Sequence, residues 1–378
     1  MKPILLFLLT LLLPLSSFSL SIQSQTPYTS IFSFGDSFTD TGNFAIIAGP
    51  TTPGLLITKP PYGMTFFGHP TGRISDGRLA IDFIAEALGL PLLLPSMAAN
   101  QSFKQGANFA VAGATALDRT FFVNDGDTAV TAYNISVGDQ LRWFDAMKPT
   151  LCDSTQACRE YFAQALFVVG EFGWNDYGFM LLAGKSVDEA RSRVPEVVGA
   201  ICAATEKLID GGGKTVVVSG LTPMGCATGN LVLFAGQNAT ADYEPATGCL
   251  NDLNLLSKEH NQQLRQALAR LRARRSGVRV RIIYADFYAP IEDFATSPDS
   301  YGFNGTDGAL NACCGGGGGR YNFNLTAACG MPGVSACSDP SAYVNWDGIH
   351  LTEAANRRVA DGWLRGPYAH PPILDTHC

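Results

Sequence analysis

Charge is in short supply in this sequence. Only 16% of its 378 residues are Asp, Glu, Lys or Arg, the formal net charge is −7, and no basic run exceeds the Arg272-Ala-Arg274-Arg275 cluster. Nucleic acid and anionic membranes are held by clustered cations, so this composition speaks against both partners. Histidine is scarce too, with five in the chain, which leaves few candidates for any imidazole chemistry. No C-x-x-C pair occurs, no His stands at zinc spacing from a Cys pair, and Asp125-Gly-Asp127 lacks the other ligands of a calcium loop, so no metal or cofactor is called for. The chain has no G-x-S-x-G elbow. Gly213-Lys-Thr215 precedes a strand pattern and has Leu208 where a phosphate loop needs its first glycine, which excludes nucleotide binding by that route.

Apolar residues make up 46% of the chain, enough for a large core. Lys2, the run from Ile4 to Leu13, and the break at Pro14 into small residues read as a secretory signal over residues 1–24. The apolar stretch continues to Leu20, about seventeen residues, so an uncleaved anchor is the alternative; no other segment approaches a membrane span. Secretion to the extracellular space or cell wall is expected, without stable membrane insertion after cleavage, and an uncleaved signal would shift the site of action to the Golgi. All ten cysteines lie beyond the signal and are expected to form disulfides, with Cys152–Cys158 and Cys226–Cys249 as the first local pairs. Sequons at Asn100, Asn134, Asn238, Asn304 and Asn324 agree with passage through that pathway.

Short β-branched or aromatic runs alternate with helical patterns, the arrangement of an α/β fold with a mainly parallel sheet. Strands are expected at Ile31 to Phe34, Asn108 to Ala112, Ala165 to Val169, Thr215 to Ser219 and Val278 to Ala285. Helices are expected at Leu79 to Leu88, Val194 to Ile209, Leu255 to Arg274 and Leu351 to Leu364. With no repeat and no Pro/Ser-rich linker, one domain over residues 29–367 and a short tail at 368–378 are favoured. The Gly-, Asn- and Cys-rich stretch 299–345 reads as a disulfide-tied loop over one end of the sheet.

Ser37 follows a strand and Gly35, at the carboxyl edge where open α/β sheets bind ligands. It is a candidate nucleophile; it could equally cap the next helix. A serine hydroxyl needs a base. His350 stands three residues after Asp347 across Gly348, a spacing that lets the carboxylate turn back onto Nδ1 and leaves Nε2 outward; capping of the last helix is the alternative. His69, His370 and His377 lie in loop or tail sequence, and His260 follows Glu259 in a polar helix and reads as solvated. Gly113 and Asn175 each follow a strand and, with the Ser37 amide, are candidate oxyanion donors, although Asn175 is also an ordinary turn residue.

Phe-Gly-Asp-Ser37-Phe-Thr-Asp-Thr-Gly-Asn, Gly113, Gly-Trp-Asn175-Asp and Asp347-Gly-Ile-His350 together resemble the four ordered blocks of the GDSL (SGNH) ester hydrolases and lipases. Pro60-Pro-Tyr-Gly63, the following Phe67 to Arg78 segment and the Cys313-Cys-Gly run resemble the plant branch. The resemblance spans nearly the whole chain after the signal; Phe38, where the family name has Leu, is its one departure. It implies a three-layer α/β/α, flavodoxin-like SGNH hydrolase fold with a mainly parallel five-stranded sheet. It implies a catalytic triad of Ser37, Asp347 and His350, and an oxyanion hole of Ser37, Gly113 and Asn175. The substrate class it implies is an ester, small-molecule or polysaccharide-bound; a short acyl group, acetyl above all, on a polar alcohol is favoured. A lipid esterase, an acyltransferase with the same triad, and a non-catalytic secreted binding glycoprotein are the alternatives.

Overall fold

The structure, a computed structural model, describes residues 28–124, 135–234, 242–277 and 279–375. The signal segment 1–24, the Asp125-Gly-Asp127 triplet, Asn134, Asn238, Val278, His377 and Cys378 lie outside the described residues.

Five parallel strands form the sheet: β1 (Ser30–Phe34), β2 (Gly106–Asn108), β3 (Ala165–Val169), β4 (Thr215–Ser219) and β5 (Arg281–Ala285). The sheet also has a sixth strand, β6 (Ala369–His370), antiparallel to β5 and drawn from the segment read as tail. The order β2-β1-β3-β4-β5-β6 places β1 between its sequence successors, so the chain crosses from β1 to β2 on one side and then back past β1 to β3 on the other. That reversal is the topological switch point of a doubly wound sheet, and a crevice opens there beyond the strand ends.

β1, β3 and β4 are buried along their whole length, as expected of strands covered on both faces. Helices α1 (Val137–Met147), α2 (Val194–Asp210) and α3 (Asn251–Arg274) pack on one another and against β3, β4 and β5. Ala80–Ala87 and Glu353–Arg365 pair as a second helical group. Phe144 of α1 is the hub of an aromatic cluster: its ring centroid lies 5.4 Å from Phe32, 5.7 Å from Phe34 and 5.7 Å from Phe109. Each such pair adds about 0.5–1.5 kcal/mol to the burial of its rings, which fixes β1 and the turn it leads into.

The second strand differs from expectation. It ends at Asn108, because the Asn108 side chain takes the Ala110 N–H (2.8 Å) and donates to Thr39 O (2.6 Å), interrupting regular pairing. The segment still follows β1, with Phe109 N–H bonded to Ser33 O at 2.7 Å and Val111 N–H to Gly35 O at 3.2 Å.

Cys152–Cys158 and Cys226–Cys249 are bonded. Two further disulfides, Cys313–Cys337 and Cys314–Cys329, tie the 299–345 stretch. Cys313 N–H and Cys314 N–H bond to Asn345 O (3.0 Å) and Trp346 O (2.7 Å), so this knot is stitched to the chain just before Asp347. Among the described residues Cys202 is the free cysteine, and no helix is long and apolar enough to cross a membrane. Asn100, Asn304 and Asn324 are exposed.

Candidate active site

Chain reversal after β1 builds the first part of the site. Gly35 and Gly170 stand side by side at the ends of β1 and β3, where a Cβ on Gly170 would lie 2.7 Å from Phe34 O. Gln140 of α1 grips Gly35 from behind, accepting from its N–H at 2.9 Å and donating to its carbonyl at 2.7 Å. The turn closes through Thr39 N–H and Asp40 N–H on Asp36 O, at 3.1 and 2.9 Å. Ser37 is not the helix cap: Gly42 stands at that position before Asn43–Ala48, and the Asp40 carboxylate accepts from the N–H groups of Gly42, Asn43 and Phe44. Ser37 is 7% exposed, and its hydroxyl makes no hydrogen bond to the described residues.

The second part comes from the loop before the last helix. Gly348 holds φ +109 with the Phe323 ring against it, where a Cβ would come within 2.2 Å of Phe323 Cδ2. This tight turn brings Asp347 back: Oδ1 accepts from Ile349 N–H (3.1 Å) and His350 N–H (3.0 Å), and Oδ1 and Oδ2 lie 3.0 and 2.9 Å from His350 Nδ1. Burial pushes the Asp347 carboxyl up, but the neighbouring imidazole and these N–H donors outweigh it and hold the group below its ordinary value. His350 Nε2 is buried and has no partner. The imidazole leans on Phe38, centroids 5.5 Å apart, and Phe38 also meets Trp174 and Phe287, so an aromatic fits the slot where the family name carries Leu.

Ser37 and His350 line one cavity of about 280 Å³ together with Gly113 and Asn175. Its remaining walls are Phe44, Ile74, Ala112, Trp174, Phe179 and Ile349. Three larger cavities, about 430, 590 and 610 Å³, lie elsewhere and contain none of the five candidate residues. Gly113 has φ +80, with its neighbours fixed by Ala112 N–H on Asp40 (2.9 Å) and Ala114 N–H on Val111 O (3.0 Å). Neither Ser37 N–H nor Gly113 N–H has an acceptor among the described residues. Asn175 differs: both its amide hydrogens are already donated, to Asp36 Oδ2 at 3.0 Å and Ala114 O at 2.9 Å.

Beneath Asn175 lie three carboxyl groups, of which Asp36 and Asp176 belong to the quoted sequence blocks and Glu171 does not. Asp36, Glu171 and Asp176 are all fully buried. Glu171 Oε1 accepts from Trp174 N–H at 3.2 Å, and its Oε2 has no donor facing it. Its side-chain partner is Asp36, and burial beside that second carboxylate drives Glu171 well above its ordinary pKa. The pair is satisfied when Glu171 holds a proton and donates it to Asp36, leaving Asp36 as the acceptor for Asn175. Asp176 is raised to about 7 by burial, against the pull of the Ala116 and Leu117 N–H groups.

His260 corrects the sequence reading. It is fully buried, its Nδ1 is 2.8 Å from the Tyr177 hydroxyl, and burial lowers its pKa to about 3. The signal was present: Leu253, Leu256, His260, Leu264, Leu268 and Leu271 keep helical spacing on one face of α3. Tyr62, whose hydroxyl donates to Asp347 Oδ2 at 3.0 Å, was also missed as a member of the site.

A serine at the switch point of a doubly wound sheet, facing a cavity shared with an Asp-held histidine, is the layout of a hydrolase that acts on acyl groups. Known proteins place it within that class. The family described as GDSL-like Lipase/Acylhydrolase matches residues 31–363. A GDSL esterase/lipase of Arabidopsis thaliana is 46% identical over 93% of this chain and 94% of its own length. A second Arabidopsis GDSL esterase/lipase is 47% identical over 93% of this chain and 87% of its own length. A sinapine esterase of Brassica napus is 46% identical over 91% of this chain and 87% of its own. The chain belongs to the GDSL lipase/acylhydrolase family and is a carboxylic ester hydrolase.

Proposed function

We propose that Ser37, Asp347 and His350 are the catalytic triad of a secreted esterase that releases short acyl groups, acetyl above all, from a polar alcohol. The observation that carries this reading is His350: Nδ1 is held by both oxygens of Asp347, while Nε2 is desolvated, unpartnered and in the cavity that Ser37 lines. Nε2 takes the Ser37 proton as Oγ attacks the ester carbonyl. The free N–H groups of Ser37 and Gly113 then receive the oxyanion, and Asn175 joins them by sharing a hydrogen now given to Ala114 O or Asp36. His350 returns the proton to the leaving alcohol, and water repeats the sequence to free the acid.

A cavity of about 280 Å³ with apolar walls supports a small acyl group. The relative named sinapine esterase supports a small-metabolite ester beside a wall polysaccharide as the alcohol-bearing substrate. Residues 1–24 act as a cleaved signal, and the exposed Asn100, Asn304 and Asn324 are sites of glycan attachment. Hydrolysis of 4-nitrophenyl acetate tests the assignment: Ser37→Ala and His350→Ala each lower kcat by about 10⁴-fold or more, and Asn175→Ala by about 10²–10³. Wild-type rates in Ser37→Ala would overturn it.

A further inference from the structure

The acid of an Asp–His pair is normally judged by what it does to the imidazole, yet its other hydrogen bonds decide how strongly it does so. Asp347 is surrounded by donors. Oδ1 faces the N–H groups of Ile349 and His350, both from its own loop. Oδ2 faces His350 Nδ1 at 2.9 Å and one donor from a remote part of the chain, the Tyr62 hydroxyl at 3.0 Å. Tyr62 is 4% exposed and reaches this point on a loop tied at both sides: Tyr62 N–H bonds to Lys59 O and Gly63 N–H to Ser75 O. Its ring packs edge-on against Trp346, centroids 5.9 Å apart, in a small core shared with Cys313, Cys314 and Cys329 of the disulfide knot. Ring and hydroxyl therefore have separate partners, the ring a packed wall and the hydroxyl a single carboxylate oxygen.

We propose that Tyr62 is a positioning residue of the esterase site, its hydroxyl setting, through Asp347, both the orientation of His350 and the acid limb of the pH–activity profile. The inference rests on the assignment of Asp347 and His350 as the catalytic acid and base pair. A neutral donor on Oδ2 disperses the carboxylate charge and keeps it from being concentrated on the imidazole. Without that donor, Oδ2 has only the imidazole to satisfy it, the imidazolium is stabilised, and the base is lost at a higher pH. Burial and the Asp347 charge hold the phenol well above its ordinary pKa, so it remains a donor throughout the working range. The other titratable group bearing on His350 is Asp36, from the turn after β1, with Glu171 behind it; neither touches Tyr62.

The test is the pH dependence of kcat/KM for 4-nitrophenyl acetate in Tyr62→Phe, which keeps the packed ring and removes the donor. The rate of fluorophosphonate labelling is followed in parallel because it reads only competent molecules. The acid limb moves up by about half to one pH unit, and the plateau falls about three- to tenfold. Tyr62→Met, which fills the space without a donor, moves the limb in the same direction in the labelling assay even where less folded protein is recovered. An unmoved acid limb in Tyr62→Phe overturns the inference, because packing loss alone lowers the plateau and leaves the limb in place. The two layers separate cleanly: activity surviving in Ser37→Ala or His350→Ala removes the triad, whereas inactive triad variants with an unmoved Tyr62→Phe limb remove only the role of Tyr62.

Discussion

Replacing Glu171 by Gln gives a sharp test of the buried proton beneath Asn175. Asp36 and Glu171 are both fully buried, so a second negative charge there has neither water nor screening to relieve it. Glu171 keeps its proton in the fold far above the 4.5 at which an unrestrained side chain releases it. A raised acid contributes stability that is complete below about 4.5 and is lost as pH climbs through the folded value, because the unfolded chain sheds the proton first. One proton held in the fold and shed by the unfolded chain tilts the unfolding free energy by up to about 1.4 kcal/mol per pH unit, so wild type loses stability through this group as pH rises above about 5. Gln carries a permanent N–H donor toward Asp36 and has no proton to lose. Urea unfolding of the disulfide-intact protein at pH 5, 6 and 7 therefore shows Glu171→Gln gaining steadily on wild type as pH rises, by up to about 1.4 kcal/mol per pH unit. Asp40 is raised as well, to about 6, but it is present in both proteins, has no interaction with Glu171 and cancels in the difference. A difference that stays flat to within about 0.5 kcal/mol over pH 5–7 refutes the shared proton. Esterase activity of the variant stays within about threefold of wild type, since Asp36 remains the acceptor for Asn175.

Gly113→Ala keeps the fold, because the new Cβ would meet only Phe179 Cζ at 4.0 Å, yet φ +80 is strained for Ala by about 1–2 kcal/mol; the displaced N–H lowers kcat about tenfold or more with KM little changed. Removing the Cys314–Cys329 bond by paired Ser substitution lowers esterase activity and melting temperature together, because Cys314 N–H holds Trp346 O next to Asp347; the same change at Cys152–Cys158 lowers the melting temperature and leaves kcat/KM unchanged. Glu353→Gln strips the charge that meets Arg78 at 2.7 Å and costs about 3 kcal/mol or more in urea unfolding, since Arg78 is left largely buried with only the half-exposed Glu86.

What could be read from the chain alone follows from how far each signal reaches. β3 and β4 lie at the expected residues because unbroken β-branched and aromatic runs have no helical alternative of that length. The five candidate site residues fall where two turns and three strand ends bring them, and four of them come from local patterns around a glycine. The aromatic hub Phe144 and the clamp Gln140 sit in a helix that was not anticipated, and Gln140 meets Gly35 from 105 residues away. Tyr62 and Asp347 are 285 residues apart, a pairing that only the folded topology creates. Glu171 was hidden for another reason: a carboxylate after a strand reads as solvent-facing until the sheet is known to be covered there.

β6 gives the C-terminal segment a task beyond ending the chain. Two residues, Ala369 and His370, pair with β5 and cover an open row of amide and carbonyl groups on the sheet's last parallel strand. Ile373 and Leu374 then anchor the segment through their N–H groups on Trp363 O and Leu364 O. Cutting the chain after residue 367 would bare an edge able to recruit another strand, so the shortened protein should form concentration-dependent aggregates by light scattering while the full chain stays monodisperse. Recombinant versions of this enzyme are therefore best trimmed or tagged at the other terminus.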